Sequence, residues 1–260
     1  MKAMIFAAGL GTRLGDITRE KPKALVEVGG EPMLKRVILK LKSAGIREMV
    51  VNVHHYGQTI IDYLNANGNF GISIAVSDER DQLLDTGGGL LKARGLLEGE
   101  EPILIHNADI LTDFDIQEIE RAHSVSKSDA TLLVANRSTS RYLLFDRELR
   151  MVGWKNVKTG EVRSPFGNLM ENPACTTDDI QPLAFGGVHI VNPAIFPMLA
   201  SYSNDAKFSI TPFYTDSCSA LSIKGYLPSQ EYNWIDIGKP DSLTAAENIV
   251  SKLRQIQAEE

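Results

Sequence analysis

The chain is poor in cysteine: Cys175 and Cys218 stand alone, far apart, and make no metal or redox spacing. Both are expected as buried, reduced thiols. Cationic excess is missing as well, since 27 Lys and Arg face 33 Asp and Glu for a net charge of −6. That balance argues against nucleic acid or an anionic membrane as a main partner, because both reward basic surfaces. No stretch approaches the ~20 apolar residues of a membrane span, and the apolar start has neither a basic leader nor a cleavage site. A cytoplasmic protein is expected. His54 and His55 face opposite ways on an extended segment, and His106, His123 and His189 are isolated. No Ser-His-Asp or Cys-His arrangement can be anchored, so structural roles for the histidines are expected.

Against these absences stands one dense stretch. Residues 2–8 form an apolar run that reads as a strand buried on both faces, and Gly9-Leu10-Gly11-Thr12-Arg13-Leu14 follows it directly. After a short gap comes Pro22-Lys23-Ala24-Leu25. Glycines let the backbone approach a ligand closely, while loop N–H groups, one hydroxyl and the cations Arg13, Lys21 and Lys23 fall within reach of one place. This is the chemistry of a polyphosphate site. Two better-known glycine loops are excluded on spacing. A Walker loop needs Lys-Ser/Thr directly after its last glycine, and a dinucleotide loop needs a glycine where Leu14 stands. The second strand also ends Val51-Asn52-Val53-His54, without the acid that would hold a ribose.

Along the chain, apolar strands at 48–53, 72–76 and 102–106 alternate with helical patterns opening at Glu31-Pro32, at 58–67 and at 90–97. Such alternation predicts an α/β fold with a parallel sheet whose ligands lie at the strands' carboxyl ends. From 129 the texture changes to shorter strands and hairpins, at 130–135, 142–146, 150–154 and 160–162. Residues 164–181 are polar and turn-rich, the best candidate for a lid. A strand at 183–191, late strands at 221–227 and 234–237, and a terminal helix from Pro240 complete the reading. No linker and no internal repeat is found, so 1–260 is expected as a single domain.

The motif of residues 7–14 with Pro22-Lys23-Ala24-Leu25 resembles the signature of the sugar-1-phosphate nucleotidyltransferases, Ala-Ala-Gly-x-Gly-Thr-Arg-Leu followed by Pro-Lys-Ala-Leu. Asp16 replaces the usual proline, a departure touching loop stiffness rather than chemistry. The resemblance implies a Rossmann-like three-layer sandwich with a mostly parallel central sheet and an inserted β-hairpin or lid region. The hexapeptide β-helix of some relatives has no counterpart here. It further implies that 1–128 holds the nucleotide, and that 129–260 holds the sugar and a second metal ligand.

Site residues follow from the same resemblance. Arg13 and Lys23 would be catalytic, and Ala7, Ala8, Gly9, Gly11, Thr12, Arg13 and Asn107 would hold nucleotide. Asp85-Thr86-Gly87-Gly88 resembles the family's [ED]-Thr-[AG]-Gly segment, which also holds nucleotide; three successive glycines read equally as a structural turn. Asp109, ending Asn107-Ala108-Asp109, and Asp236, within Trp234-Ile235-Asp236-Ile237-Gly238-Lys239-Pro240, match the two metal-binding aspartates. Asp113 and Asp115 are better placed than Asp109 to cap the next helix. Two hard carboxylates without a His/Cys set suit Mg²⁺ completed by phosphates and water. Gly187 and Glu171 fall at sugar-lining positions, although Gly186-Gly187 also suits close packing, and Asn172 replaces the lysine of a Glu-Lys-Pro segment.

The implied reaction joins a nucleoside triphosphate to a sugar 1-phosphate, giving a nucleotide-sugar for cell-envelope or polysaccharide synthesis and pyrophosphate. Short loop and core-only length look most like bacterial pyrimidine-sugar members, favouring UTP. Mannose- or heptose-1-phosphate guanylyltransferases are the alternative, and a catalytically silent sugar-nucleotide-binding subunit is the reading from another class.

Overall fold

The structure, a computed structural model, describes residues 1–167 and 179–259, with side chains up to residue 252. In chain order, strand β1 (Lys2–Phe6) is followed by the small hairpin β2 (Glu27–Val28) and β3 (Glu31–Pro32), then helix α1 (Met33–Ser43), β4 (Glu48–Val53) and α2 (Gly57–Ala66). Next come β5 (Ser73–Asp78), α3 (Asp85–Lys92), β6 (Ile103–Asn107) and β7 (Ile110–Thr112). The later part holds α4 (Ile116–Ser126), β8 (Ala130–Ala135), β9 (Arg141–Phe145), β10 (Met151–Asn156), β11 (Val162–Arg163) and β12 (Gln181–Val191). It ends with α5 (Phe196–Ser201), α6 (Ile210–Ser217), β13 (Ile223–Tyr226), β14 (Trp234–Asp236) and α7 (Pro240–Glu259).

Because Ala3, Met4 and Ile5 are all fully buried, β1 needs cover on both faces, and it receives it in the middle of the sheet. It pairs in parallel with β4 and β6, and β4 pairs in parallel with β5. Phe6 is in register with both Asn52 and Asn107, so three strands end level at the edge where open α/β sheets bind ligands. Beyond β6 the long β12 runs antiparallel and continues the sheet to β8, β9 and the β9–β10–β11 meander. One face is covered by α1, α2 and α4 through Leu34, Ile38, Ile60, Leu64 and Ile119, the other by α3, α5 and α6 through Leu90, Leu199 and Phe213. This is the expected Rossmann-like α/β sandwich with a parallel centre, and among the described residues no β-helix is present.

Three local differences have physical causes. The expected helix start at Glu31-Pro32 is a strand pair with Glu27 and Val28, leaving Pro32 as the residue before α1. The helix expected from Leu90 begins at Asp85 and runs through all three glycines, with the chain at 206–208 packed against Gly87 and Gly88 and with Glu79 and Asn52 against Gly89. Strand one stops at Phe6, since Ala7 and Ala8 turn their N–H groups onto a side chain. Of the expected lid, residues 168–178 lie outside the described residues, and with them Glu171, Asn172 and Cys175. Cys218 is a buried free thiol whose burial pushes its pKa up to about 12. Among the described residues no helix is long and apolar enough to cross a membrane.

Candidate active site

The loop after β1 is held from beneath. Asn52 interrupts the apolar end of β4, is 2% exposed, and accepts hydrogen bonds from the N–H groups of Ala7 (2.7 Å) and Ala8 (3.3 Å). Its amide nitrogen donates to Glu79 Oε1 at 2.7 Å, while Leu84 N–H donates to Glu79 Oε2 at 3.1 Å. Glu79 is fully buried, and desolvation raises its pKa against the lowering effect of these two donors. A polar chain thus ties the loop at 7–8 to the segment leading into α3. Gly11 adopts φ +69°, and a side chain there would crowd Thr18 and Lys23, so the turn requires glycine.

Lys23 is 8% exposed and forms an ion pair with Asp109, with Asp236 Oδ1 at 3.6 Å from the same ammonium. Asp109 stands two residues beyond the end of β6. Asp236 arrives from the far end of the chain because β14 pairs antiparallel with β7, Asp236 opposite Ile110, and Ile237 N–H donates to the Asp109 carbonyl at 3.0 Å. Neighbouring acids are otherwise engaged: Asp115 caps α4 through Gln117 N–H, and Asp113 binds both the backbone and the side-chain amide of Asn233. Both bonds to Asn233 help seat β14. Gly238 leaves room for its neighbours, since a Cβ there would lie 2.8 Å from Arg13 Nη2 and 2.8 Å from Asp236 Oδ1. Arg13, Asp236, Asp109 and Lys23 therefore cluster.

Arg13, Lys23 and Asp109 line a cleft of about 440 Å³, and Asp236 lies beside it, 3.6 Å from the Lys23 ammonium. Ala8, Gly9, Gly11, Thr12, Arg13, Lys23, Asp85, Thr86, Asn107 and Asp109 line it, as the sequence reading expected of the loop, the start of α3 and the end of β6. Ala7 and Gly87 do not. Gly87 instead abuts the Phe208 ring, and its N–H and that of Gly88 donate to the Phe208 carbonyl at 2.9 and 3.1 Å. Gly187, with φ +71°, sits where β12 shifts register and where a Cβ would lie 2.8 Å from Asn107 Nδ2. Its partner Gly186 accepts a hydrogen bond from the Trp234 indole at 2.8 Å. A second cavity of about 550 Å³ shares Asp85 and is lined by Leu143, Trp154 and Phe185.

A family model described as "Nucleotidyl transferase" matches residues 2–252. The chain belongs to the nucleotidyl transferase family. It is 32% identical to an N-acetylmuramate alpha-1-phosphate uridylyltransferase of Caulobacter vibrioides over 94% of this chain and 95% of that protein. A mannose-1-phosphate guanyltransferase of Debaryomyces hansenii is 26% identical over 92% of this chain and 62% of its own length. In fold, the chain superposes with TM-score 0.77 on a Bacillus anthracis structure assigned as a glucose-1-phosphate thymidylyltransferase, at 18% identity and covering 96% and 94% of the two chains.

Within this transferase, Asn52, Glu79 and Lys207 also line the cleft and were not singled out from the sequence. A signal for Asn52 existed, because an amide inside an otherwise apolar strand must find partners when buried. The aspartate pair fits a divalent cation: Asp236 Oδ1 is buried without a hydrogen-bond partner, and both donors are hard carboxylates. Among the described residues no third His, Cys, Asp or Glu joins them, which suits Mg²⁺ completed by phosphate and water. The buried His106 and His189 are held down to about 4 and about 3 by desolvation, so neither carries charge near neutrality.

Proposed function

We propose that this transferase condenses UTP with an amino-sugar or N-acetylated sugar 1-phosphate, releasing pyrophosphate and forming a nucleotide-sugar for the cell envelope or a polysaccharide. The convergence of Arg13, Lys23, Asp109 and Asp236 beside one cleft carries this reading. A phosphate monoester with a second pKa near ~6 is largely dianionic at pH 7, so the nucleophile needs no general base. What the site must supply is charge control and alignment. Arg13 and the loop amides from Gly9 onward hold the leaving pyrophosphate, and Lys23 holds the attacking phosphate in line. Asp109 and Asp236 would hold Mg²⁺, which when bound neutralises phosphate charge.

Labour is divided between the halves in this reading. Residues 1–128 hold the nucleotide, with Asp85, Thr86 and Asn107 beside it, and residues 129–260 hold the sugar with Gly187 and Glu171. The second cavity, adjoining the first at Asp85, is the space we assign to the sugar. Uracil is favoured over guanine by the full-length likeness to a uridylyltransferase, while the likeness to mannose-1-phosphate guanyltransferases keeps GTP as the second reading.

Pyrophosphate release from UTP, dTTP, CTP and GTP, each with Mg²⁺ and a panel of sugar 1-phosphates, tests the proposal. UTP with an N-acetylated sugar phosphate is expected to give the highest kcat/KM. A GTP preference of about tenfold, worth ~1.4 kcal/mol, rejects the uridylyl reading. Tight nucleotide binding without turnover in every combination identifies a silent sugar-nucleotide-binding subunit instead.

A further inference from the structure

Two of the cleft's three cationic side chains stand on one side, with Lys23 held between Asp109 and Asp236 and Arg13 beside Asp236. The third, Lys207, lines the cleft from the segment joining α5 to α6. Hydrogen bonds fasten that segment and the first residue of α6 to the start of α3. Phe208 N–H donates to the Leu84 carbonyl at 3.1 Å, Gly87 and Gly88 N–H donate to the Phe208 carbonyl, and Ile210 N–H donates to Thr86 Oγ1 at 3.0 Å. No side chain fits between the two pieces, since a Cβ on Gly88 would lie 2.0 Å from the Ala206 carbonyl oxygen and one on Gly87 would lie 2.4 Å from the Phe208 ring. The glycine pair therefore lets the backbone on both sides of Lys207 seat against α3. Lys207 itself is exposed and makes no ion pair or side-chain hydrogen bond with any described residue.

A backbone fastened this closely carries the Lys207 ammonium to a cleft where Lys23 is matched by carboxylates, and where Lys207, like Arg13, has no ion pair among the described residues and is open to an anionic ligand. We infer that Lys207 is a phosphate-binding residue, gripping phosphoryl oxygens of a substrate from the α3 side of the cleft. The inference rests on the nucleotidyl-transfer reading for the identity of its ligand, and the phosphate belongs either to the triphosphate or to the sugar phosphate. It also gives Gly87 and Gly88 a role: they position Lys207 rather than touch nucleotide.

The test compares Lys207→Ala, Lys207→Gln and Lys207→Arg with the wild-type chain. Affinity for UTP, GTP, pyrophosphate and a sugar 1-phosphate is measured by calorimetry, and kcat and KM are measured with each substrate varied in turn. Losing a positioned, charge-assisted contact is expected to lower affinity or kcat/KM for one phosphate substrate about tenfold, with most of it recovered in Lys207→Arg and none in Lys207→Gln. Weaker triphosphate or pyrophosphate binding names the nucleotide as the source, and a raised KM for sugar phosphate alone names the acceptor. Binding and kinetics within about twofold of wild type in the alanine variant overturn the inference, as does a loss that arginine does not restore. Failure of the wild-type chain to turn over would sink the nucleotidyl-transfer reading separately. A calorimetric loss for pyrophosphate or for a sugar 1-phosphate would then still uphold Lys207, and calorimetry unchanged for both would overturn it.

Discussion

Asp109 and Asp236 face the same ammonium but are delivered in opposite ways. Asp109 lies two residues past the register Phe6 shares with Asn107 and Asn52, so it inherits its position from the buried parallel centre of the sheet. Asp236 ends a three-residue strand paired with β7, steadied by Asn233 on Asp113, by the Trp234 indole on the Gly186 carbonyl and by Ile237 on the Asp109 carbonyl. The first aspartate is built into the core. The second is attached to it, and the site exists only once both halves have folded together.

If both aspartates serve one cation, the contrast in their supports should vanish in catalysis. Asp109→Asn and Asp236→Asn are each expected to lower kcat about a thousandfold at saturating Mg²⁺, and the double variant little further, because groups acting as a unit are not additive. A folded single variant with near-normal kcat would break the pairing. Next in size, the two cations should separate by substrate. Arg13→Ala is expected to lower kcat/KM for the triphosphate about a hundredfold, and Lys23→Ala to do so chiefly for the sugar phosphate. Losses under about tenfold at both positions would remove their assigned roles.

Stability should reveal the built-in half more than the attached one. Asn52→Ala strands the Ala7 and Ala8 N–H groups and the Glu79 carboxylate in a buried site, for an expected loss of about 2 kcal/mol and a Tm drop of roughly 4–8 °C. A calorimetric Tm unchanged from wild type would show that water replaces the amide without cost. An effect of similar size is expected where the halves join, at His106 on β6 and His189 on β12, which lie within the β6–β12 pairing. Both are neutral when folded, at about 4 and about 3, against an ordinary 6.5 in the unfolded chain. Their contribution is therefore complete above pH 6.5 and is lost as pH falls from 6.5 toward about 4 for His106 and about 3 for His189, because the unfolded chain binds the extra protons. Urea titrations at pH 7 and pH 5 should differ by about 1–3 kcal/mol, less so in a His106→Gln variant. Equal stability at both pH values would mean that buried water solvates the rings.

Much of this molecule is readable as local pattern. The apolar run of β1, the glycine turn that crowds Thr18 and Lys23, the alternation of strands and helices, and the two strand-end aspartates each depend on neighbours in sequence, where period and residue type carry the information. Glycine triplets are less legible. Gly87 and Gly88 look like a ligand turn, yet what fills their missing side chains is Phe208 and Ala206, more than a hundred positions away. Asn52 shows only as a polar interruption of β4, and that it joins the loop to Glu79 depends on the parallel register of β1, β4 and β5. Tertiary structure alone decided that β14 would pair with β7 and bring Asp236 to Lys23, and that Lys207 would line the same cleft. The physical reason is that buried polar groups must be satisfied, but which distant group satisfies them is settled by sheet register and close packing, which no short window of sequence contains.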